Sequence, residues 1–595
     1  MHFVPYRSHS TLHKSPFGAI PAGEEITFRA ILPRHMRCRG VTLRWGDYDG
    51  AWEGSLPFWW EGMEGDQEEW WQCRLTLREP GLYRYRFIYD SESGGGWIGD
   101  EEQGVGRLGE GGWFRLTVYD PTQQLPDWVP GGVLYQIFPD RFCNSGRAKE
   151  GVPEDRILRQ DWHGEPQWEP DERGKITRYD FFGGDLNGIE EKLGYLKSLG
   201  VTCIYLNPIF LAHSNHRYDT SDYFAIDPLL GTEEDFTHLC DQAHGMGIRI
   251  ILDGVFSHTG ADSQYFNRYG HYDSLGAYQS PDSPYYSWYK FDEFPDHYNA
   301  WWGIYTLPAV DKDNPGYQRY LLNPDDGILP RWVKRGASGW RLDVADELPV
   351  PMLQKMRESV KQANPGAVLI GEVWEDASNK VAYGEQRSYC LGDTVDSVMN
   401  YPLRRAVIDF FTGVIDAYQL RRVILHQREV YPTPFYYAMM NLLGSHDRVR
   451  ILNAMAGFDR EGAVQLPREE SMLIKLAKPE VTKAKKRHLE ALKLLCALPG
   501  APTVYYGDEI GMQGMADPWN RAPMEWEFGD ATHWSAISTI LNERQEKRVL
   551  QTGFLDVEAV NENSLRIRRY AVDGKDVFGN ELAELDEFVR IVRKL

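Results

Sequence analysis

Four acidic residues, Asp253, Asp343, Glu372 and Asp447, each stand at or just past the end of a short apolar run, with an arginine and two histidines beside them. The runs are Arg249-Ile-Ile-Leu-Asp253, leading on to Ser257-His258; Gly339-Trp-Arg-Leu-Asp343; Ala367-Val-Leu-Ile-Gly-Glu372; and Tyr437 to Leu443, followed by Gly-Ser-His446-Asp447. In a strand, residues two apart share a face, so Arg341 and Asp343 point the same way. A lone pair of that kind reads as a structural ion bridge. Its repetition at four strand ends does not, because unpaired buried charge is costly. Two carboxyl groups flanking one bond suit glycosidic cleavage: one attacks or activates water, the other protonates the leaving oxygen. A third carboxylate can steady the cationic transition state. The sequence holds no nucleophile-elbow serine or cysteine and no His-Glu-x-x-His, which sets acyl transfer and zinc hydrolysis aside.

The elements that would carry these residues follow from periodicity. Residues 1–122 alternate apolar and polar positions in several short runs, among them Glu24 to Ile31, Val41 to Trp45, Leu82 to Ile88 and Trp113 to Val118, which predicts an N-terminal β-sandwich. The pairs Trp59-Trp60 and Trp70-Trp71 would each expose one ring. After a Pro-containing linker, eight apolar strands alternate with amphipathic helices over 123–552: Val133 to Phe138, Thr202 to Leu206, Arg249 to Asp253, Gly339 to Asp343, Ala367 to Glu372, Ser397 to Asn400, Tyr437 to Leu443 and Ala501 to Tyr506. The helical stretch from Ile189 to Leu199 ends on Gly200 as a C-cap. The fold class is therefore α/β, a (β/α)8 TIM barrel whose active site gathers at the carboxyl ends of its strands. A doubly wound sheet is disfavoured, since no Gly-rich phosphate loop follows the first strand. An aromatic insertion at about 260–317 predicts a subdomain over the barrel mouth, and a charged, partly helical one spans about 461–486. Residues 553–595 read as a short C-terminal β domain.

A formal charge of −22 argues against nucleic acid and against an anionic membrane surface. Twenty Trp and 33 Tyr suit a neutral ligand with flat faces, such as a sugar. The seven cysteines are scattered and never in Cys-x-x-Cys spacing, and the first residues show no secretory pattern, so the expected home is the cytoplasm.

At this point the chain resembles the alpha-amylase family of glycoside hydrolases (family 13), from about Val133 to Trp526. Asp253 to His258, Gly339 to Glu347, Glu372-Val-Trp374 and Gly444-Ser-His-Asp447 look like its four conserved regions, and Gly500 to Ile510 like the block around the eighth strand. The resemblance implies Asp343 as nucleophile, Glu372 as acid/base and Asp447 as transition-state stabiliser. It implies sugar contacts from His258, Arg341, His446, Tyr218, Asp517 and Arg521, with Trp374 and Glu347 influencing the acceptor side. Arg341 would hold Asp343 ionised while Glu372 needs a raised pKa to donate. Retention of configuration implies carboxyl groups about 5–5.5 Å apart.

Within the family, the N-terminal domain and the Val-Ala-Asp-Glu347 ending are similar to the neopullulanase, cyclomaltodextrinase and maltogenic amylase group, and Arg268 to Ser280 to amylopullulanase catalytic regions. The implied partner is an α-glucan: cyclodextrin, pullulan, starch or maltooligosaccharide, with α-1,4 and also α-1,6 bonds in range. A transglycosylase or a non-catalytic glucan-binding relative are the alternatives. The sandwich resembles a family 34 carbohydrate-binding module, which implies a homodimer through the N-terminal domain. Departures from the pattern are Ser257 and Asp346 where the family has asparagines, Leu307-Pro-Ala-Val-Asp311, and Arg448. The chemistry needs no cofactor. A structural calcium is implied in relatives; Asn144, Gly183 and Asp185 match its site, but Ser145-Gly-Arg-Ala-Lys149 replaces the remaining ligands, leaving few hard oxygens for a six- to eight-fold shell.

Overall fold

The computed structural model describes residues 3–594 apart from Asp49, Gln103, Gln124, Asp155, 171–177, 460–466 and 584–585. Eight parallel strands form its centre: β1 (Leu134–Ile137), β2 (Cys203–Leu206), β3 (Arg249–Gly254), β4 (Gly339–Leu342), β5 (Val368–Gly371), β6 (Ser397–Val398), β7 (Met440–Leu442) and β8 (Ala501–Tyr505). They pair in the order β6-β5-β4-β3-β2-β1-β8-β7, and a parallel bridge between Met399 and Met440 joins the two ends. This is the expected barrel. Its lumen is packed by Leu134, Cys203, Tyr205, Ile251, Val368, Ile370, Met440, Leu442 and Ala501, while the alternate side chains pack outward on the helices. Gly339 opens β4 at φ 145, where a Cβ would lie 2.1 Å from the Val368 carbonyl oxygen. Only glycine lets β4 and β5 approach there.

Two local expectations are corrected. The apolar run Tyr437 to Leu443 is strand only over Met440–Leu442, because Thr433–Ala438 is helical with a proline in its first turn. A short apolar run does not itself distinguish the two states. The helix over 189–199 is two pieces, Leu186–Glu191 and Leu193–Leu199, broken at Lys192, with Gly200 at φ 93 closing the second. Of the charged insertion, 461–466 lies outside the described residues; Arg468–Met472 and the start of Lys478–Ala497 are helical.

The N-terminal region forms two sheets, a four-stranded one holding Glu25–Pro33 and Glu68–Thr76 and a seven-stranded one holding Cys38–Asp47 and Gly81–Ser91. Phe28, Leu43, Cys73, Tyr85, Phe87 and Phe114 pack between them. Trp59 and Trp60 are both exposed, at 45% and 52%, not one in and one out. They lie on the edge strand Trp59–Glu64, paired in regular register with Gln72 and Trp71, and at the rim of the sheet both rings are open to solvent. This region seats on the barrel through Glu429 of the helix Ala417–Val430, which accepts from Ser8 Oγ (2.9 Å) and faces His9 Nε2 (2.8 Å) and Lys14 Nζ (3.4 Å).

The insertion after β3 is built on aromatic packing around Tyr265, Phe266, Trp288, Tyr289 and Tyr298, with one short hairpin, Phe291–Glu293 with His297–Tyr298. At the end of the chain, Phe554–Asn561, Ser564–Tyr570 and Glu587–Arg593 form a three-stranded antiparallel sheet. Buried Arg569 fixes it to the barrel by donating to the carbonyls of Ala497 (3.0 Å) and Leu550 (2.9 Å).

Candidate active site

The carboxyl ends of β3, β4 and β5 bring Asp253, Arg341, Asp343 and Glu372 together, all nearly solvent-free. Neighbouring parallel strands in register achieve this: Asp253 pairs with Arg341 across β3 and β4, and Arg341 with Ile370 across β4 and β5. Arg341 Nη1 donates to Asp253 Oδ1 (2.7 Å) and Asp343 Oδ1 (2.8 Å), and Nη2 lies 2.8 Å from Glu372 Oε1. Immediately after Asp343, Val344 takes a left-handed backbone, φ 39, a conformation a β-branched residue rarely adopts. The turn aims its N–H at Glu372 Oε2, 2.9 Å away. Trp374 Nε1 donates to the other oxygen of Glu372 at 3.2 Å, and its indole stacks on Tyr401 at 4.1 Å.

A second group faces this one from the loops after β2, β7 and β8. Tyr218 stacks on His446 (5.5 Å between ring centres), its hydroxyl 2.6 Å from His446 Nε2 and donating to Asp253 Oδ2 at 2.8 Å. Gln136 of β1 donates to His446 Nδ1 (2.8 Å), so Nε2 carries the proton and points at Tyr218 and at Asp447 Oδ2, 3.2 Å away. Burial together with Arg521 and Arg341 pushes the His446 imidazolium well down, leaving the ring neutral. Arg521 donates to the His446 carbonyl (3.0 Å), reaches Asp447 Oδ1 at 3.5 Å and pairs with Asp517 at 3.4 Å. Despite burial, Arg521 and Arg178 hold the Asp517 carboxyl down at about 2.

His258 has both ring nitrogens engaged: Nε2 with the Tyr218 carbonyl (3.0 Å) and Nδ1 with Ser257 Oγ (2.9 Å). It braces Tyr218, and Ser257 supplies the bond that fixes its ring. Burial lowers its pKa to about 4, so it stays neutral there. Asp346 accepts from the Tyr389 hydroxyl at 2.6 Å, and Arg448 pairs with Asp459. Glu347 accepts from Trp302 Nε1 (3.3 Å) and the Tyr383 hydroxyl, and lies 3.7 Å from Lys312 Nζ. The structure thus links Asp343, Glu372, Asp447, His258, Arg341, His446, Tyr218, Asp517, Arg521 and Trp374 through one set of contacts, while Glu347 bonds none of them directly. Sequence reasoning missed Gln136, Val344 and Tyr401, together with Tyr205, whose hydroxyl donates to Asp253, and Asn207, which donates to the Tyr218 hydroxyl at 3.0 Å. Only Gln136, a polar residue inside the apolar run Val133 to Phe138, carried a visible signal.

One expectation changes. Burial raises the pKa of Asp253, Asp343 and Glu372, most strongly at Asp343, with Arg341 opposing it at each. Asp447 is raised as well by enclosure in the cleft, against Arg521, although its side chain stays 29% exposed. Arg341 is therefore not a dedicated partner that keeps Asp343 ionised. It is shared among three carboxyl groups, and the cluster holds on to protons that isolated carboxyls would release. The protons belong to the coupled cluster as a whole and not to one residue, and double displacement uses the state in which Glu372 carries a proton while Asp343 is ionised.

The residues matched to a calcium site do not fit one. Asp185 caps the helix Leu186–Glu191 by accepting from Gly188 N (2.6 Å), and its other oxygen takes Ser145 Oγ (2.7 Å) and the Lys149 ammonium. Asn144 Oδ1 accepts from Gly146 N at 2.8 Å. The oxygens a cation would need already face donors, one of them a cation itself.

Comparison with known proteins sets these features in context. A family model described as alpha amylase, catalytic domain, matches residues 136–551. An amylopullulanase of Thermoanaerobacter thermohydrosulfuricus is 36% identical over 96% of this chain and 41% of its own length. A cyclomaltodextrinase of Geobacillus thermopakistaniensis is 31% identical over 92% of this chain and 86% of its own. Among solved structures, the cyclic alpha-maltosyl-(1→6)-maltose hydrolase of Arthrobacter globiformis is 30% identical, covering 78% of this chain and 97% of that one, with a TM-score of 0.63. The chain spans half or less of the amylopullulanases it matches, 41%, 48% and 33% of their lengths.

Proposed function

We propose, on the premise that the chain belongs to the alpha-amylase family of glycoside hydrolases, that it is a retaining hydrolase of α-1,4 and α-1,6 glucosidic bonds. The observation that carries this reading is the single guanidinium of Arg341 holding Asp343 and Glu372 side by side, with Asp447 opposite. In the first displacement Glu372 gives its proton to the glycosidic oxygen while Asp343 attacks the anomeric carbon; the glycosidic C–O bond breaks, the leaving chain departs as an alcohol and a glycosyl–enzyme ester forms. In the second, Glu372 as carboxylate takes a proton from water, the water oxygen bonds the anomeric carbon and Asp343 leaves. Tyr218, stacked on a neutral His446, offers a flat face to the sugar being cleaved. Relatives named for pullulan, cyclodextrin and maltosyl-maltose support an α-glucan as substrate.

Two finer readings join it. Exposed Trp59 and Trp60 supply an apolar face through which two N-terminal domains would pair as a homodimer. Among the described residues no helix is long and apolar enough to cross a membrane, and all seven cysteines are free thiols, which fits a reducing cytoplasm. The deciding experiment is parallel chromatography of products from pullulan, β-cyclodextrin and soluble starch. Panose from pullulan reports α-1,4 cleavage and maltotriose α-1,6 cleavage. No product from any of the three would refute the reading.

A further inference from the structure

Trp302 and Tyr383 are two of the most exposed aromatic residues among those described, 74% and 73%, and they come from different loops, the insertion after β3 and the hairpin after β5. Both hold left-handed backbone conformations, φ 50 and φ 54, which large side chains rarely adopt. For Tyr383 this is the two-residue turn of its hairpin, with Gly384 also at positive φ, whereas Trp302 is held so beside the stacked Trp301. Here both polar tips meet one atom, Oε1 of Glu347, which directly follows the strand end carrying Asp343. Lys312 steadies the other oxygen at 3.7 Å. Behind Trp302 its neighbour Trp301 stacks at 4.8 Å, and Trp301 in turn leans on His258 at 5.3 Å, tying the clamp to the catalytic floor. The two rings are thus tied by their edges, with the Trp302 face turned away from Trp301 and the Tyr383 ring left to solvent.

The side of the scissile bond follows from the barrel order. Tyr218, His446, Asp517 and Arg521, which face the sugar being cleaved, rise from the loops after β2, β7 and β8. Trp302, Glu347 and Tyr383 rise from β3, β4 and β5, beyond the Asp343–Glu372 pair. That sector is left for the leaving group.

We propose that Trp302 and Tyr383, pinned together through Glu347, form a glucosyl-binding subsite for the leaving-group chain, in which their exposed ring faces take the apolar faces of glucose. The assignment rests on the glucan-hydrolase reading above. Tyr and Trp suit the task because each presents a rigid apolar body with a polar tip.

The test compares Trp302→Ala, Tyr383→Ala and the conservative Trp302→Phe and Tyr383→Phe on two substrates. α-Maltosyl fluoride loses fluoride, so nothing occupies the leaving-group side; maltohexaose places glucose there. Each alanine variant should raise KM for maltohexaose by about three- to tenfold, the value of one lost ring contact, with maltosyl fluoride turnover unchanged within about twofold. Trp302→Phe should recover most of the loss. Equal losses on both substrates would mean a structural role and overturn the proposal, as would no loss on either. A wild-type enzyme inert on both substrates would instead overturn the hydrolase reading, and the subsite with it.

Discussion

Arg341 Nη2 lies as close to Glu372 Oε1 as Nη1 lies to Asp343 Oδ1, 2.8 Å in each case. The same Nη1 is also 2.7 Å from Asp253. One buried cation therefore serves three buried carboxyl groups, and its loss would leave them facing each other. The Coulomb attraction it provides opposes burial without overcoming it, which is why these carboxyls titrate above isolated ones.

Replacing Arg341 with Met should cost roughly 3–5 kcal/mol of stability near neutral pH, the usual penalty for breaking a buried pair by removing one partner. The sign of its pH dependence follows. Without Arg341 the carboxyl pKa values rise further above their unfolded values, so folding is least affected at low pH and the deficit grows as pH climbs through the raised values. Thermal unfolding of both proteins from pH 4 to pH 8 checks this. A deficit that widens on acidification would contradict the shared-cation account.

The roles of the two carboxyl groups can be separated by leaving group. Asp343→Asn should lower hydrolysis of both maltohexaose and α-maltosyl fluoride by at least about 10³-fold, because no ester can form. Glu372→Gln should lose a similar factor on maltohexaose yet release a burst of fluoride, since fluoride departs without a proton and only the second displacement stalls. Stopped-flow fluoride release reads the difference. An Asp343→Asn enzyme keeping a tenth of wild-type rate would sink the assignment, as would a Glu372→Gln enzyme without a burst.

How much of this was legible in the chain depends on the range of the interaction. The barrel strands were visible because each buries a run of apolar residues, and Asp253, Asp343, Glu372 and Asp447 because a charge closing such a run is conspicuous. Periodicity failed where a short run is apolar throughout, as at Tyr437-Ala438, which end the helix Thr433–Ala438 instead of opening the strand. The positive φ of Val344 had no local signature at all: a β-branched residue there is imposed by the packing of β4 against β5. Gln136 and Asn207 acquire meaning only when the ends of β1 and β2 meet each other and the loops that carry Tyr218 and His446. The sharing of Arg341 was hidden too, because two residues apart in one strand is local information and Glu372 on the next strand is not.

Chelation should leave this protein unaffected. With Lys149 and Ser145 bonded to Asp185, an excess of EDTA is expected to shift the melting temperature by less than about 1 °C, whereas Lys149→Met should destabilise by about 1–3 kcal/mol by removing the cation beside a buried carboxylate. Added calcium should not restore that variant, given the few oxygens left to bind it. A drop of several degrees on EDTA treatment of the wild type would show that the donor set holds a metal after all.

The seat of the N-terminal domain should give way in acid, within a defined window. Burial would raise the Glu429 carboxyl, but Lys14, His9 and Ser8 outweigh it and hold it down at about 2, against an ordinary value of 4.5. A depressed carboxyl stabilises the fold above its unfolded pKa, and that stabilisation is lost as pH falls through the folded value. The contribution is about 3 kcal/mol near neutral pH and should disappear between pH 4.5 and pH 2. Glu429→Gln also leaves buried Lys14 without its counter-charge, so the variant should be destabilised by a similar amount at pH 7 and exposed to protease near residues 8–14. Its deficit relative to wild type should shrink progressively below pH 4.5. A deficit independent of pH would show that Glu429 acts through packing and not through its charge.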